Sequence, residues 1–514
     1  GFDDEKTYRM LRSGRTAGVF QFESALATDV LRQMRCDRFD DLVASNALLR
    51  PGPLDSGMHK VYIRRKRGEE PVTYQLPELE PILRETQGVI TYQEQVMRLA
   101  QRLAGISLAE ADVLRKAVGK KDAELIRIEL GKFTEKAIAR GFDRATIEDI
   151  AGQIETFGRY GFNKSHSVAY SVVSYHTAYL KANYPADFMA ALLSSCIGDT
   201  DSVVKYVAEA REMGIEVLPP DVNESGYKFT VVGEKRIRFG LGAVRNVGQG
   251  AVESVLAARR ASGLFTDFFD FVERVDLRAC NKRVFEALIS AGALDGLGGH
   301  RAQYLAGLDR AISEALLKQE ERELGQASLF GEALGGGPSA QQKPTLPSVP
   351  AWSESDRLTN EKAILGFYVS GHPLEPFRAE AEIFGTHKIT DLGTWTGDKI
   401  AVACVITACK RQISKKSGNE FARLTLEDFS GSTEVLVFPE AWSVLADSVK
   451  TDIPVLVEGG YSRRDQGAES PTFIVERITR LAEKRVNGEL AVAIELEPGA
   501  ELSPSLMHDV RAAC

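Results

Sequence analysis

The sequence has few cysteines, no long apolar run and no excess of positive charge, and each shortage narrows what the chain can be. Its 514 residues hold six cysteines, Cys36, Cys196, Cys280, Cys404, Cys409 and Cys514, and no two stand at C-x-x-C spacing. Scattered thiols of this kind fit a reducing compartment better than a disulfide framework or a zinc site, so the expected localisation is cytoplasmic. No stretch of about 18 apolar residues exists, which predicts no membrane-spanning helix, and the first residues do not read as a signal peptide. The net charge is −8, an unpromising sum for contact with nucleic acid. Phosphate contact depends on local patches and not on the sum. Such patches stand at Arg64-Arg65-Lys66-Arg67, from Arg115 to Lys121, and at Lys410-Arg411 with Lys415-Lys416. With 44% hydrophobic residues and this length, about three or four ordinary domains are expected.

What is present is a glycine-bracketed basic loop, Gly158-Arg159-Tyr160-Gly161-Phe162-Asn163-Lys164-Ser165-His166-Ser167, at the start of a helix. Asn163 or Ser165 can serve as N-cap. The apolar series Val168, Val172, Tyr175 and Tyr179 then runs at helical spacing until Pro185 stops it. The free N–H groups and positive dipole end of such a helix attract phosphate oxygens, and Lys164 and His166 add donors at the same end. The plainer alternative is a capped helix with a solvated lysine. Earlier in the chain, Ser107-Leu108-Ala109-Glu110 reads as a capping box opening a helix that carries Leu114, Ala117 and Val118 inward, with Arg115 beside the stripe. Lys116 and Lys120 share one face and Lys121 continues the row. Alone, a charge row of this kind is usually a solvated surface.

Four segments come in a telling order: Ala47-Leu48-Leu49-Arg50-Pro51-Gly52-Pro53-Leu54, Gly88-Val89-Ile90-Thr91-Tyr92-Gln93-Glu94-Gln95, Leu114-Arg115-Lys116-Ala117-Val118-Gly119-Lys120-Lys121 and Gly161-Phe162-Asn163-Lys164-Ser165-His166. Together they resemble the fingers domain of the family C replicative DNA polymerases, the family of the bacterial DNA polymerase III alpha subunit. The resemblance covers nearly the whole chain. It implies a DNA-directed nucleotidyltransferase in which a primer 3′-hydroxyl attacks the alpha-phosphate of a deoxynucleoside triphosphate while two Mg2+ ions stabilise the charge. In that family the palm, with its metal-binding aspartates, lies upstream of the residue corresponding to Gly1. This chain is therefore expected to contain no catalytic and no metal-binding residue and to be inactive alone. It is expected to be a fragment, since it begins without Met and stops at Cys514 in what looks like the opening of a tail domain. The triphosphate contacts that the resemblance implies are Arg115, Lys116, Lys120, Lys164 and His166, of which Arg115, Lys120, Lys164 and His166 are expected to converge on one concave surface. The family has consecutive arginines where this chain has Arg115-Lys116, and lysine lacks the guanidinium fork, which shifts the role mainly to Arg115.

The expected fold class is multidomain α+β. It comprises a mostly helical fingers domain at 1–215, a tandem helix-hairpin-helix domain at 216–325, a clamp-binding peptide and linker at 326–350, a helical connector at 351–398, a five-stranded OB-fold barrel at 399–482 and the start of a truncated tail domain at 483–514. Pro219-Pro220 marks the first boundary, followed by a short hairpin of strands 227–232 and 236–239. Gly248 and Gly250 sit between two helical segments, the arrangement in which hairpin N–H groups bind DNA phosphate without reading sequence. A second helical pair passes through 282–294, and 301–324 reads as a charged amphipathic helix. Gln326, Leu329 and Phe330 match the Q-x-x-L-F peptide by which proteins resembling this one hold the sliding clamp.

Strand patterns at 400–408, 421–427, 433–438, 453–461 and 472–477, with a helix at 439–448, describe an OB-fold. Its first loop is expected to hold Lys410, Arg411, Lys415 and Lys416, suited to a single-stranded phosphate backbone. Phe421 and Phe438 are either stacking faces or barrel core. The implied partners are primer-template and single-stranded DNA, deoxynucleoside triphosphates, a sliding clamp and other replicase subunits, with no membrane. Two rival readings stand beside the replicative one: an error-prone paralogue of the same family, and a non-catalytic nucleic-acid-binding scaffold. The segment Gly488-Glu489-Leu490-Ala491-Val492-Ala493-Ile494 resembles the start of the replicative form's tail and favours that form.

Overall fold

The computed structural model describes residues 1–120, 123–158, 162–323, 344–392, 399–414, 418–461 and 471–487. The chain divides into two compact units, Gly1–Trp352 with Asn360–Val369, and Ser353–Thr359 with Ser370–Cys514. The fold class is the expected one, helical regions followed by a small closed barrel.

The first unit opens with α1 (Glu5–Ser13), α2 (Ala25–Met34), α3 (Phe39–Leu48), α4 (Pro51–Asp55) and α5 (Met58–Lys66). Then come α6 (Glu80–Leu83), α7 (Gln93–Ala104), α8 (Leu108–Lys120), α9 (Ala123–Ala139) and α10 (Arg144–Gly158), which close around Leu99, Leu103, Leu114, Phe133, Ile147 and Ile154. The long α11 (Lys164–Asn183) lies against α1 and α3, and α12 (Pro185–Ser195) and α13 (Thr200–Glu212) follow. Proline at the first position of α12 cannot continue α11, so the chain turns there.

The buried face of α11 departs from the apolar series seen in its sequence. Tyr175 is buried, but Val168 and Val172 are only half-buried and Tyr179 is 37% exposed. The helix instead buries Ser167, Ser171, Ser174, Ala178, Lys181 and Ala182 beside Tyr175. Small side chains let α3 come close, and the hydroxyls of Ser167 and Ser171 are satisfied across the contact. The Ser167 hydroxyl donates to the Val43 carbonyl at 2.5 Å, and the Asn46 amide donates to the Ser171 hydroxyl at 2.8 Å. A hydrogen-bonded serine is tolerated inside where a bare one is costly. Near its C-terminal end Lys181, fully buried, donates to the carbonyls of Arg15 and Ala17 at 3.0 and 2.8 Å and to Glu209 at 2.5 Å. Burial holds its ammonium below the usual lysine pKa, with Glu209 working against the shift.

After Met213 the expected hairpin forms as β2 (Thr230–Gly233) against β3 (Arg236–Arg238), but a further strand, β1 (Glu216–Leu218), pairs in parallel with β3. Ahead of α14 (Gln249–Ser262) stands one 3-10 turn, Leu241–Ala243, and not a full helix. The second pair is α15 (Phe268–Arg274) and α16 (Lys282–Ser290), capped by the side chains of Asp267 and Asn281, and α17 (Arg301–Glu323) packs on both. Phe268, Phe271, Phe285, Leu288, Tyr304 and Leu308 form the shared core, which Leu365 and Phe367 also enter. Buried Arg301 joins Asp295 at 2.8 Å to fully buried Glu361 at 3.0 Å.

In the second unit, β4 (Ile400–Ile413), β5 (Glu420–Glu427), β6 (Ser432–Val437), β7 (Pro454–Tyr461) and β8 (Phe473–Arg480) close a barrel in the order β4-β5-β6-β8-β7. The one parallel contact is between β6 and β8 among the described residues. The helix Pro439–Leu445 falls between β6 and β7, as the five-strand pattern anticipated, and its Trp442 joins Val402, Ile406, Leu424, Val437 and Val475 in the core. One expectation is corrected here. Lys410 and Arg411 are strand residues and not loop residues, because β4 keeps its ladder with β5 past the bulge after Ile406, pairing Lys410 with Arg423 and Arg411 with Ala422.

Candidate nucleotide and nucleic-acid interface

The start of α11 is built by two distant segments. The Gln93 N–H donates to the Phe162 carbonyl at 2.9 Å, and Tyr92 bridges Phe162 in parallel. This tie sets the first turn of α7 beside the first turn of α11. Asn163 is the N-cap, its side chain accepting from the His166 N–H at 2.9 Å. Glu94 of α7 then completes the turn, accepting from the Asn163 amide at 2.8 Å and from the Lys164 N–H at 2.9 Å. The Lys164 ammonium pairs with Glu85 at 2.6 Å. A cavity of about 380 Å³ opens here, lined by Glu85, Glu94, Gln95, Arg98, Lys164 and Ser165. Carboxylates thus stand where the positive end of a helix would receive phosphate oxygens.

The other expected contacts divide. On α8 the capping box forms as anticipated, with the Ser107 N–H donating to Glu110 at 2.8 Å and the Glu110 N–H donating back to the Ser107 hydroxyl at 3.2 Å. Leu114 and Ala117 are buried. Arg115 and Lys116 both turn to Asp112, at 2.7 and 2.9 Å, and hold its carboxyl below the usual range, Lys116 having the larger effect. The side chain of Lys120 lies outside the described residues. The His166 ring lies 4.2 Å from Tyr170 and edge-on to Phe162 at 5.3 Å. Lys164 therefore lines the cavity, while Arg115 and Lys116 pair on their own helix and His166 joins an aromatic cluster.

Gly248 caps α14 with no side-chain hydrogen bond, and a Cβ added at Gly248 or Gly250 would meet nothing within 4 Å. On the barrel, Lys410 and Arg423 both approach Glu434 at 3.8 Å across three strands, and the Arg411 guanidinium lies 5.5 Å from the Trp442 ring. Phe438 is exposed and Phe421 half-buried, so neither belongs to the barrel core. Lys415, Lys416, Gln326, Leu329 and Phe330 lie outside the described residues. Among those described, no group of His, Cys, Asp and Glu could hold a metal ion, and no helix is long and apolar enough to cross a membrane.

Residues 1–141 match the bacterial DNA polymerase III alpha subunit finger domain, and residues 214–304 match a helix-hairpin-helix motif. DNA polymerase III subunit alpha of Vibrio cholerae is 40% identical over 468 residues, covering 90% of this chain and 40% of that protein. The same subunit of Mycobacterium tuberculosis is 42% identical over 475 residues, 90% of this chain and 40% of its own length, and that of Pasteurella multocida is 37% identical over 515 residues, 99% and 44%. The chain belongs to the DNA polymerase III alpha-subunit family. It spans about two-fifths of the length of these relatives.

Within this chain, the residues that sequence reasoning passed over are Glu85, Glu94, Arg98 and Arg50. Three carried a usable signal. Glu94 and Arg98 stand four apart on α7 and so share a face, and Arg50 lies inside one of the four diagnostic segments. Its guanidinium sits 3.8 Å over the Phe162 ring.

Proposed function

We propose that this chain supplies the nucleotide-, DNA- and clamp-binding parts of template-directed DNA synthesis by a replicative DNA polymerase III alpha subunit. In this reading residues 1–215 are the fingers, 216–325 the helix-hairpin-helix domain, 326–350 the clamp-binding peptide and linker, 351–398 the connector, 399–482 the single-strand-binding OB-fold and 483–514 the start of a tail. The observation that carries it is the placement of Lys164, at the N terminus of α11, beside Arg98 on one cavity. Two side-chain cations and a helix end there can hold a triphosphate. Arg115, Lys116, Lys120 and His166 are proposed as its further contacts. Since Arg115 and Lys116 are held by Asp112, their part requires that pair to open.

Gly248 and Gly250 would take duplex phosphates through backbone N–H groups. Lys410, Arg411, Lys415 and Lys416 would follow a single strand, with Phe438 as a stacking face. Gln326, Leu329 and Phe330 would enter an apolar pocket of the clamp. Among the described residues no group of His, Cys, Asp and Glu could hold Mg2+, and the chain alone is proposed not to polymerise. The reading places the protein in the cytoplasm with the replicase subunits. Kinetics of the full-length enzyme test it. Lys164→Ala removes a charge-assisted hydrogen bond to the triphosphate and is expected to raise KM for deoxynucleoside triphosphates about tenfold or more, with primer-template affinity nearly unchanged. A collapse of DNA affinity at constant KM would overturn the nucleotide assignment.

A further inference from the structure

Three arginines from three separate elements converge on Asn360–Val369, the second half of helix α18 (Glu354–Leu365) and the residues after it. This stretch belongs to the first compact unit, although Ser353–Thr359 and the chain from Ser370 belong to the second. Arg211 of α13 donates to the Tyr368 carbonyl at 2.7 Å, and its guanidinium lies 5.3 Å from the Phe367 ring. Arg245, three residues before Gly248, donates to the Ala363 carbonyl at 3.1 Å and to the Thr200 hydroxyl at 3.3 Å, and its backbone N–H to the Ile364 carbonyl at 3.4 Å. Carbonyls in the last turn of a helix lack partners within it, and Arg245 supplies them here. From α17, Arg301 reaches Glu361 at 3.0 Å, and the other oxygen of that buried carboxylate accepts from the Val369 N–H at 2.6 Å.

Gly366 completes the fit. It holds φ at +90°, and a Cβ there would stand 2.7 Å from Thr200 Cγ2 and 2.9 Å from Val204 Cγ2, both on α13; glycine meets both demands. Leu365, Phe367 and Tyr368 are buried, and the Phe367 ring meets that of Phe239, the residue after β3, at 6.0 Å. The stretch is thus wedged between α13 on one side and the α14 hairpin with α17 on the other. A shift of the stretch on α13 moves Arg245, and Gly248 with it. We propose that Asn360–Val369 sets the bearing of the α14 start against α13, holding its N–H groups at one angle to receive duplex phosphates. Gly366 and Arg211 are then positioning residues: neither lies on the hairpin, and both act on it through Ala363, Ile364 and Arg245. The proposal rests on the reading of the α14 start as a duplex contact and adds what aims it. A hairpin freed to sample several bearings binds in proportion to the fraction correctly aimed.

The test measures binding of a labelled duplex and of tripolyphosphate to the purified 514-residue chain, well below the unfolding transition of each variant, where a loss of stability alone leaves Kd unmoved. Gly366→Ala crowds Thr200 and Val204. Arg211→Met removes the bond to Tyr368 from an exposed position, so it keeps its fold even if Gly366→Ala does not. Each is expected to weaken duplex binding about fivefold with the salt slope kept, since the number of phosphates met does not change. The double variant should lose about as much as the worse single one, because both release the same stretch, and Arg211→Lys should recover most of the parent affinity. Tripolyphosphate affinity should stay as in the parent; a parallel fall would mean general loosening and overturn the positioning role. Gly248→Asp is the control for the hairpin itself. If it weakens duplex binding while Gly366→Ala and Arg211→Met match the parent, the positioning role is overturned and the duplex reading stands. A flattened salt slope in Arg211→Met also overturns the role, because the arginine then meets DNA directly. If Gly248→Asp leaves duplex binding unchanged, the duplex reading falls and the proposal falls with it.

Discussion

The start of α11 and the start of α14 carry the same local signal, a glycine-bordered helix N terminus suited to phosphate, and the structure completes them in opposite ways. At α11, Asn163 caps one N–H and the Glu94 carboxylate takes another. At α14, Gly248 is extended at φ −77° and ψ 165°, no side chain caps it, and its surroundings are open. A phosphate reaching α14 displaces only water. One reaching α11 must displace a carboxylate already satisfied there, which a polyanion such as a triphosphate does better than a single charge. An open end suits contact that ignores sequence and identity, and a pre-filled end suits selection for highly charged ligands.

The comparison can be broken most severely by releasing α11 itself. Lys181 fixes that helix to the loop before α2 and to Glu209 on α13, and removing one partner of a buried pair leaves the other uncompensated. Lys181→Met is expected to cost on the order of 3 kcal/mol, read from denaturant midpoints, whereas Gln249→Ala at the exposed α14 start should cost under about 0.5 kcal/mol. Equal losses would mean that α11 is not the more firmly held. The next largest effect should come from making α14 resemble α11. Gly248→Asp places a carboxylate in open space at a backbone angle any residue adopts, so stability should hold or rise slightly. Duplex DNA affinity should drop about tenfold at low salt and its salt slope should flatten. Unchanged affinity and slope would remove α14 from the DNA interface. The converse change is smaller: Glu94→Gln keeps an acceptor but removes the charge, and tripolyphosphate affinity at the α11 cavity should rise about threefold. Weaker binding would show that Glu94 supports the ligand instead of competing with it.

How much of this was legible in the sequence follows from the range of the interactions. The barrel's strands and the capping box of α8 are set by alternation and by residues three apart, so local reading found them. The order of the four diagnostic segments revealed the family. What local reading could not reach was the pairing of residues far apart in the chain: β1 beside β3, Glu94 on the N–H of Lys164, and Lys181 inside. On α11 periodicity was misleading, because the helix buries serines whose partners, the Val43 carbonyl and Asn46, lie some 120 residues away. Arg50 over Phe162 is likewise a contact between segments that the sequence separates.

The smallest expected effect concerns charge at a third helix start. Glu110 of the α8 capping box accepts from Lys136 at 2.6 Å and from the Ser107 N–H and hydroxyl at 2.8 and 2.9 Å. Lys136 first, and then Ser107, bring its pKa from the ordinary 4.5 down to about 2. A carboxyl whose pKa is lower in the folded chain stabilises fully above its unfolded value. The contribution is therefore complete above about pH 4.5 and drains away as pH falls toward 2. Both Glu110 and Lys136 are substantially exposed, so salt should screen the effect and keep it small. Amide protection factors at the first turn of α8, followed from pH 6 to pH 2, should converge with those of Glu110→Gln over that window. Helix α14, with no acidic residue in its first turn, should show no such convergence between the parent and Gly248→Ala. If the Glu110→Gln difference persisted undiminished at pH 2, the carboxylate's charge would not be what holds the helix that carries Arg115 and Lys116.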